Sequence, residues 1–176
     1  MARGTSKTIL VMSDSHGNRD IVQELKDYYR GKVDAIFHNG DSELSSSDPI
    51  WEGIEVVEGN CDYDGGYPAR QVTDLAGLRI AQTHGHLYRI NYTWQNLDYW
   101  AQEVDADLCL YGHLHAAAVE KRGKTVFLNP GSVQQPRGPI QVKLYALVTF
   151  TDESITVRFY SLDHQEFSLL TKEFPR

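Results

Sequence analysis

The sequence predicts an α/β fold in which two mixed β-sheets pack together with helices outside. Three observations carry that expectation. Short apolar runs recur in both halves of the 176-residue chain, and the first, Thr8 to Met12, is β-branched without clean alternation, as in a strand buried on both faces. Early in the chain the order is strand, helix, strand, loop, strand, at the spacing of parallel βαβ-type units. Later runs are joined by tight turns carrying glycine, as in antiparallel hairpins.

Taken in order, Met1 to Ser6 is polar and expected to be loose. After the first strand, Asn18 or Asp20 can cap a helix whose apolar positions Ile21, Val22, Leu25, Tyr28 and Tyr29 recur at helical spacing, with Gly31 placed to end it. Val33 to Phe37 and Ile54 to Val57 are the next two strands, separated by a Ser-rich loop from Ser42 to Pro49. Tyr63 to Pro68 is a Gly-rich loop. Arg70 to Leu75 and Leu78 to Gln82 form a hairpin about Ala76-Gly77. Asn91 to Val104 reads as a helix with Thr93 as a possible cap and a stripe of Trp94, Leu97, Trp100, Ala101 and Val104. Leu108 to Tyr111 is a strand. Ala117 to Glu120 and Thr125 to Leu128 make a second hairpin, and Val142 to Phe150 with Ile155 to Tyr160 a closing one. No internal repeat, low-complexity tract or linker interrupts the chain, so residues 1–176 are expected to form one domain.

Composition narrows the function. A formal net charge of −7 argues against a general nucleic-acid-binding surface, which would be basic. The two cysteines, Cys61 and Cys109, suggest neither a disulfide framework nor a structural zinc site. No run approaches a membrane span and the N-terminus has no signal-peptide core, so a cytoplasmic protein is expected. The aromatic segment around Tyr88 to Trp100 could form a homo-oligomer contact, but the same stripe serves a core.

The chemistry gathers where the strands end. Asp14-Ser15-His16-Gly17 follows the first apolar run, and open α/β sheets place their sites just beyond the carboxyl ends of their strands. Asp14 and His16 are two apart and would point the same way in extended backbone. Five of the seven histidines (His16, His84, His86, His113, His115) lie in such clusters. Together the strand ends offer Asp14, His16, Asp41, Asn60, His84, His113 and His115. One metal needs four to six of these; the set suits two metals sharing a bridging carboxylate. Oxygen and imidazole ligands without thiolate point to manganese foremost, with iron, zinc or nickel as alternatives. Two divalent ions, two aspartates and a bridging hydroxide leave a site of about +1, attractive to a phosphate group.

The motifs Asp14-Ser15-His16-Gly17, Gly40-Asp41, Gly59-Asn60-Cys61-Asp62, His84-Gly85-His86 and Gly112-His113-Leu114-His115 stand in the order found in calcineurin-like metallophosphoesterases. The set most resembles the small YfcE-like phosphodiesterase branch, as do Asn129-Pro130-Gly131-Ser132 and Pro136-Arg137. The resemblance runs from residue 14 to about 137. It implies a four-layer αββα sandwich of the metallo-dependent phosphatase type. It also implies that Asp14, His16, Asp41 and His115 hold a first metal, that Asp41 bridges, and that Asn60, His84 and His113 complete a second. A bridging hydroxide would attack phosphorus in line in a small phosphate-ester substrate.

One position departs from the wider family: Cys61 stands where a His after the Asn is thought to protonate the leaving group. A thiol is a poor acid catalyst near neutral pH, so Cys61 is read as a spacer. His86 is the substitute, either as that acid or as a hydrogen-bond partner of a ligand. Substrates with good leaving groups need the acid less, which favours phosphodiesters. The rest have plain readings. His38 and Asn39 are structural or rim residues. Asp62 orients a neighbour or caps a turn. Arg137 could contact phosphate but reads first as an exposed salt bridge, His164 is at the surface, and Asn129 to Ser132 is a turn. Ser13 and Ser15 have no partners for a serine hydrolase, and the chain is short for a barrel amidohydrolase. The alternative to an enzyme is a scaffold of the same fold that has lost catalysis and binds protein partners.

Overall fold

The computed structural model describes residues 5–176. The expectation of a loose start falls largely on residues 1–4, outside the described residues. In chain order the strands are β1 (Lys7–Met12), β2 (Ala35–His38), β3 (Ile54–Val56), β4 (Arg70–Leu75), β5 (Leu78–Thr83), β6 (Leu108–Leu110), β7 (Ala118–Arg122), β8 (Thr125–Asn129), β9 (Leu144–Phe150), β10 (Ser154–Ser161) and β11 (Lys172–Pro175). They form two sheets, ordered β11-β10-β9-β1-β2-β3 and β4-β5-β6-β8-β7. Both are mixed. β1, β2 and β3 run parallel in the first, as do β5, β6 and β8 in the second, and hairpin strands add antiparallel edges.

Why β1 reads as an unbroken apolar run is plain from its two faces. Ile9 and Val11 point into the core between the sheets, against Ile80, Leu108 and Leu128. Leu10 and Met12 point outward under α1 (Arg19–Tyr28), which covers them with Ile21, Val22 and Leu25. The Asn18 side chain caps α1 by accepting from the Ile21 amide at 3.1 Å. On the far side α2 (Gln95–Glu103) lays Leu97, Trp100 and Ala101 on Ala81, Cys109 and Phe127 of the second sheet. The layers are helix, sheet, sheet, helix.

Two elements differ from expectation. The second helix begins at Gln95, not Asn91, because Arg89 adopts φ +54° and its carbonyl takes the amides of Tyr92 and Thr93 in a separate turn. Thr93 still caps, its hydroxyl accepting from the Gln95 amide at 3.1 Å. β11 has no apolar signature: it is a short edge strand with Lys172 and Glu173 exposed, and only its backbone pairing to β10 defines it. Among the described residues no helix is long and apolar enough to cross a membrane. Of the aromatic segment, Trp100 is buried and Trp94 packs on Tyr111 and Phe127, while Tyr92 and Tyr99 face outward.

Candidate metal centre

The two sheets deliver their parallel strands to one edge of the molecule. Asp14 and His16 follow β1, Asp41 follows β2 and Asn60 follows β3; His84 follows β5, and His113 and His115 follow β6. The side chains converge by a route that extended backbone does not allow. Asp14, His16, Asp41, His113 and His115 all have left-handed backbone, with φ of +55°, +41°, +56°, +68° and +57°. Each such turn costs a non-glycine residue about 1–3 kcal/mol, and a cluster of them at one place marks a site that the surrounding fold is built to hold. The expected same-side projection of Asp14 and His16 along a strand is thereby corrected: the chain turns at each residue.

Ligand atoms of Asp14, His16, Asp41 and His115 lie within 4.8 Å of one another, as do those of Asp41, His84 and His113. Asp41 belongs to both groups. Asn60 projects at the exposed rim, its Nδ2 facing the Cys61 sulfur at 3.7 Å. The crowding explains two glycines. A Cβ at Gly59 would stand 2.1 Å from Asp41 Oδ1, and one at Gly112 2.5 Å from Asp14 Oδ2.

Hydrogen bonds fix how the imidazoles present themselves. His115 Nδ1 lies 2.7 Å from the Gln135 carbonyl, which only accepts, so Nδ1 carries the proton. His16 Nδ1 lies 3.2 Å from Glu43 Oε2 and donates likewise. Both Nε2 atoms therefore offer lone pairs, and they face each other at 3.1 Å. Asp14 Oδ1 is 3.2 Å from His115 Nε2, and Asp41 Oδ2 is 3.8 Å from His16 Nε2. His84 Nε2, 3.0 Å from Asp14 Oδ1 and 3.4 Å from Asp41 Oδ2, can donate to the carboxylates, but the facing lone pairs of His16 and His115 have no donor between them, an arrangement that a cation would relieve. The residues fit a divalent ion.

Charge follows the same logic. Burial works against the Asp14 carboxylate, yet His84 and His115 beside it hold its carboxyl well below the usual range. Burial likewise opposes a charge on His84, but Asp14 and Asp41 outweigh it and raise its pKa. His113 is lowered, chiefly by burial. His86 contacts His84, Nδ1 to Nδ1 at 3.0 Å, and burial with the neighbouring His84 pushes it down to about 4. Burial and the Asp41 carboxylate push the Cys61 thiol up to about 11, leaving it protonated at neutral pH.

Several plain readings change. Asn129 to Ser132 is more than a turn: the Ser132 hydroxyl donates to the Asp14 carbonyl at 2.7 Å, and Asn129 Nδ2 donates to that of Gly112 at 3.1 Å. Arg137 forms no ion pair among the described residues; its amide bonds to the His115 carbonyl. His164 is half-buried, stacked on Tyr28 and bonded to the Tyr145 hydroxyl at 2.8 Å. His38 and Asn39 are buried structural groups rather than rim. Sequence reasoning missed Gln82, whose buried amide donates to the His38 carbonyl at 2.9 Å and to Asn39 Oδ1 at 3.0 Å, tying the two sheets where the site lies. A polar residue closing an apolar run was the available signal.

Comparison with known proteins places these motifs in a family. Residues 8–153 match the calcineurin-like phosphoesterase superfamily domain. The "Probable metallophosphoesterase YsnB" of Bacillus subtilis (strain 168) is 38% identical over 152 residues, 86% of this chain and 89% of that one. "Phosphodiesterase YfcE" of Escherichia coli (strain K12) is 36% identical over 94 residues, 48% of this chain and 47% of its own. A crystal structure of a predicted phosphoesterase from Streptococcus pneumoniae TIGR4 superposes with a TM-score of 0.96 at 56% identity, covering 98% of this chain and 99% of that one. Zinc-complexed Vps29 from Entamoeba histolytica shares the fold, with a TM-score of 0.74 at 21% identity over 96% of this chain and 98% of its own. With its strand-end carboxylates and imidazoles, its paired mixed sheets and a family match over most of its length, the chain belongs to the calcineurin-like phosphoesterase superfamily.

Proposed function

We propose that the protein is a two-metal-ion phosphoesterase that prefers phosphodiesters with good leaving groups. The observation that carries this reading is the sharing of Asp41 between two groups of converging ligand atoms. Asp14, His16 and His115 complete the first group; His84 and His113, with Asn60 from the rim, complete the second. When bound, two divalent ions would activate a water for attack on phosphorus and stabilise the charge that develops on the phosphoryl oxygens. Manganese is the proposed ion, with iron, zinc or nickel as alternatives.

The chain's own residues set the rest. Only two carboxylates serve the set, and the other ligands are neutral imidazoles and an amide, so the loaded site keeps positive charge for a phosphate group. Glu43 and the Gln135 carbonyl lock His16 and His115 with Nε2 toward the centre. His86 is proposed to orient His84 through their contact. Held near a pKa of 4, it is neutral at pH 7 and lacks the imidazolium proton that a general acid would give a leaving group. That supports substrates whose leaving group departs unaided, and similarity to a phosphodiesterase points the same way.

The test is hydrolysis of bis-p-nitrophenyl phosphate by chelator-stripped protein with and without Mn²⁺, beside Asp41→Asn. Metal-dependent turnover that the substitution abolishes is expected. The same assay on His86→Asn should lose activity equally on aryl and alkyl esters; a selective loss on alkyl esters would restore the acid role. Absence of turnover in protein that binds two ions would leave the scaffold reading. Its support is Cys61 in place of the usual His and a likeness in fold to Vps29.

A further inference from the structure

We propose that Asp62 is the positioning residue that holds the shared carboxylate, Asp41, in register with Asn60, a role that rests on the two-ion reading above. Asp62 is only 6% exposed, and its carboxylate is not among the converging ligand atoms. It is instead filled by backbone. Oδ2 accepts from the amides of Asp41 at 2.9 Å and Gly59 at 2.7 Å, and Oδ1 accepts from the Glu43 amide at 2.8 Å. Two of these amides belong to the loop after β2 and one to the loop after β3. The clasp is reciprocal, because Asp41 Oδ1 in turn accepts from the Cys61 amide at 2.7 Å.

The segment so held is the strained one. Gly40, Asp41 and Glu43 have φ of +108°, +56° and +56°, and the latter two are non-glycine residues in left-handed backbone. Without acceptors for their amides, neither would keep that conformation against solvent. Glu43 also orients His16, so the reach of Asp62 extends to both groups of ligands. A carboxylate is required because three donors need acceptors on both oxygens. Asparagine has the same shape but presents an NH₂ group to one set of backbone N–H groups.

The test is Asp62→Asn, read first by Mn²⁺ titration and only then by turnover. The variant should fold, judged by circular dichroism, and bind its two ions more weakly than the parent, by about 10–100-fold at the more affected site. Turnover of bis-p-nitrophenyl phosphate should fall at low Mn²⁺ and recover as Mn²⁺ is raised, with KM for the ester unchanged. A folded variant that binds both ions as tightly as the parent overturns the proposal. So does a loss of activity that only tracks the loss of folded protein. Should the variant not fold, hydrogen exchange on the unaltered protein decides: the amides of Asp41, Glu43 and Gly59 should be protected together, and fast exchange at any of them overturns the clasp. A parent that binds fewer than two ions would instead overturn the two-ion reading, and the metal-free exchange measurement separates these failures.

Discussion

Replacing Gly59 by alanine tests the close approach on which the shared carboxylate depends. The added Cβ would lie 2.1 Å from Asp41 Oδ1 and 2.3 Å from the Asp41 amide nitrogen, where real Cβ contacts do not fall below 3.0 Å. Asp41 must therefore retreat by the difference, 3.0 − 2.1 = 0.9 Å. Neither neighbour can yield cheaply: one atom is backbone, and the other accepts from the Cys61 amide. Overpacking of this kind costs about 1–3 kcal/mol. For a chain of this length that lowers Tm by about 2–12 °C. The effect on chemistry should be larger. A displacement of about 1 Å in a catalytic group can cost about 100-fold in rate. Thermal unfolding would be measured beside Mn²⁺-dependent hydrolysis of bis-p-nitrophenyl phosphate. A variant that melts within 12 °C of the parent, yet turns over 100-fold more slowly and needs more Mn²⁺, is the expected outcome. A folded Gly59→Ala protein with parental turnover and metal requirement would refute the geometry of the shared ligand.

Two further outcomes follow from packing and burial at residues that are not themselves ligands. His38 is fully buried, its Nδ1 accepting from the Gly40 amide and its Nε2 bonded to Ser15, so it must stay neutral; burial pushes it from 6.5 down to about 4. Because the unfolded chain takes up the proton more readily, stability is full above pH 6.5 and falls as pH drops toward 4, by about 3 kcal/mol from this group. Denaturant unfolding of His38→Asn across that range should show a shallower pH slope than the parent, and an unchanged slope would remove His38 as its source. Leu97 on the inner face of α2 is wholly buried, so Leu97→Ala should cost about 2–5 kcal/mol in urea unfolding while leaving the Mn²⁺ requirement per folded molecule unchanged.

Much of the site was legible because ligand types are rare where they occur. Imidazoles and carboxylates at the ends of apolar runs have no packing reason to be there, so Asp14, His16, Asp41, His84, His113 and His115 stood out, and they are the residues whose atoms converge. The supporting shell was legible only in part: Asp62 could be read as orienting a neighbour, though not which one, while Gln82 and Ser132 carried no such sign. Asp62, Gln82 and Ser132 are ordinary polar residues, and their importance lies in which distant amide or carbonyl they meet. Asp62 binds amides 19 and 21 residues away, and Ser132 binds a carbonyl 118 residues away. β11 was illegible for a similar reason, being defined by pairing rather than by side chains.

Ten of the eleven described strands, the two-sheet arrangement and the residue types that meet at one edge were readable in the sequence. Those follow from apolar periodicity, glycine turns and ligand chemistry, all of which act over a few residues. Folding across the chain sets what no local pattern carries: the ligand-bearing turns are left-handed, and two imidazole nitrogens face each other at 3.1 Å. Backbone in that conformation is unfavourable for Asp and His when taken locally. It persists because buried contacts between loops far apart in sequence, Asp62 to Asp41 and Ser132 to Asp14 among them, outweigh the local cost.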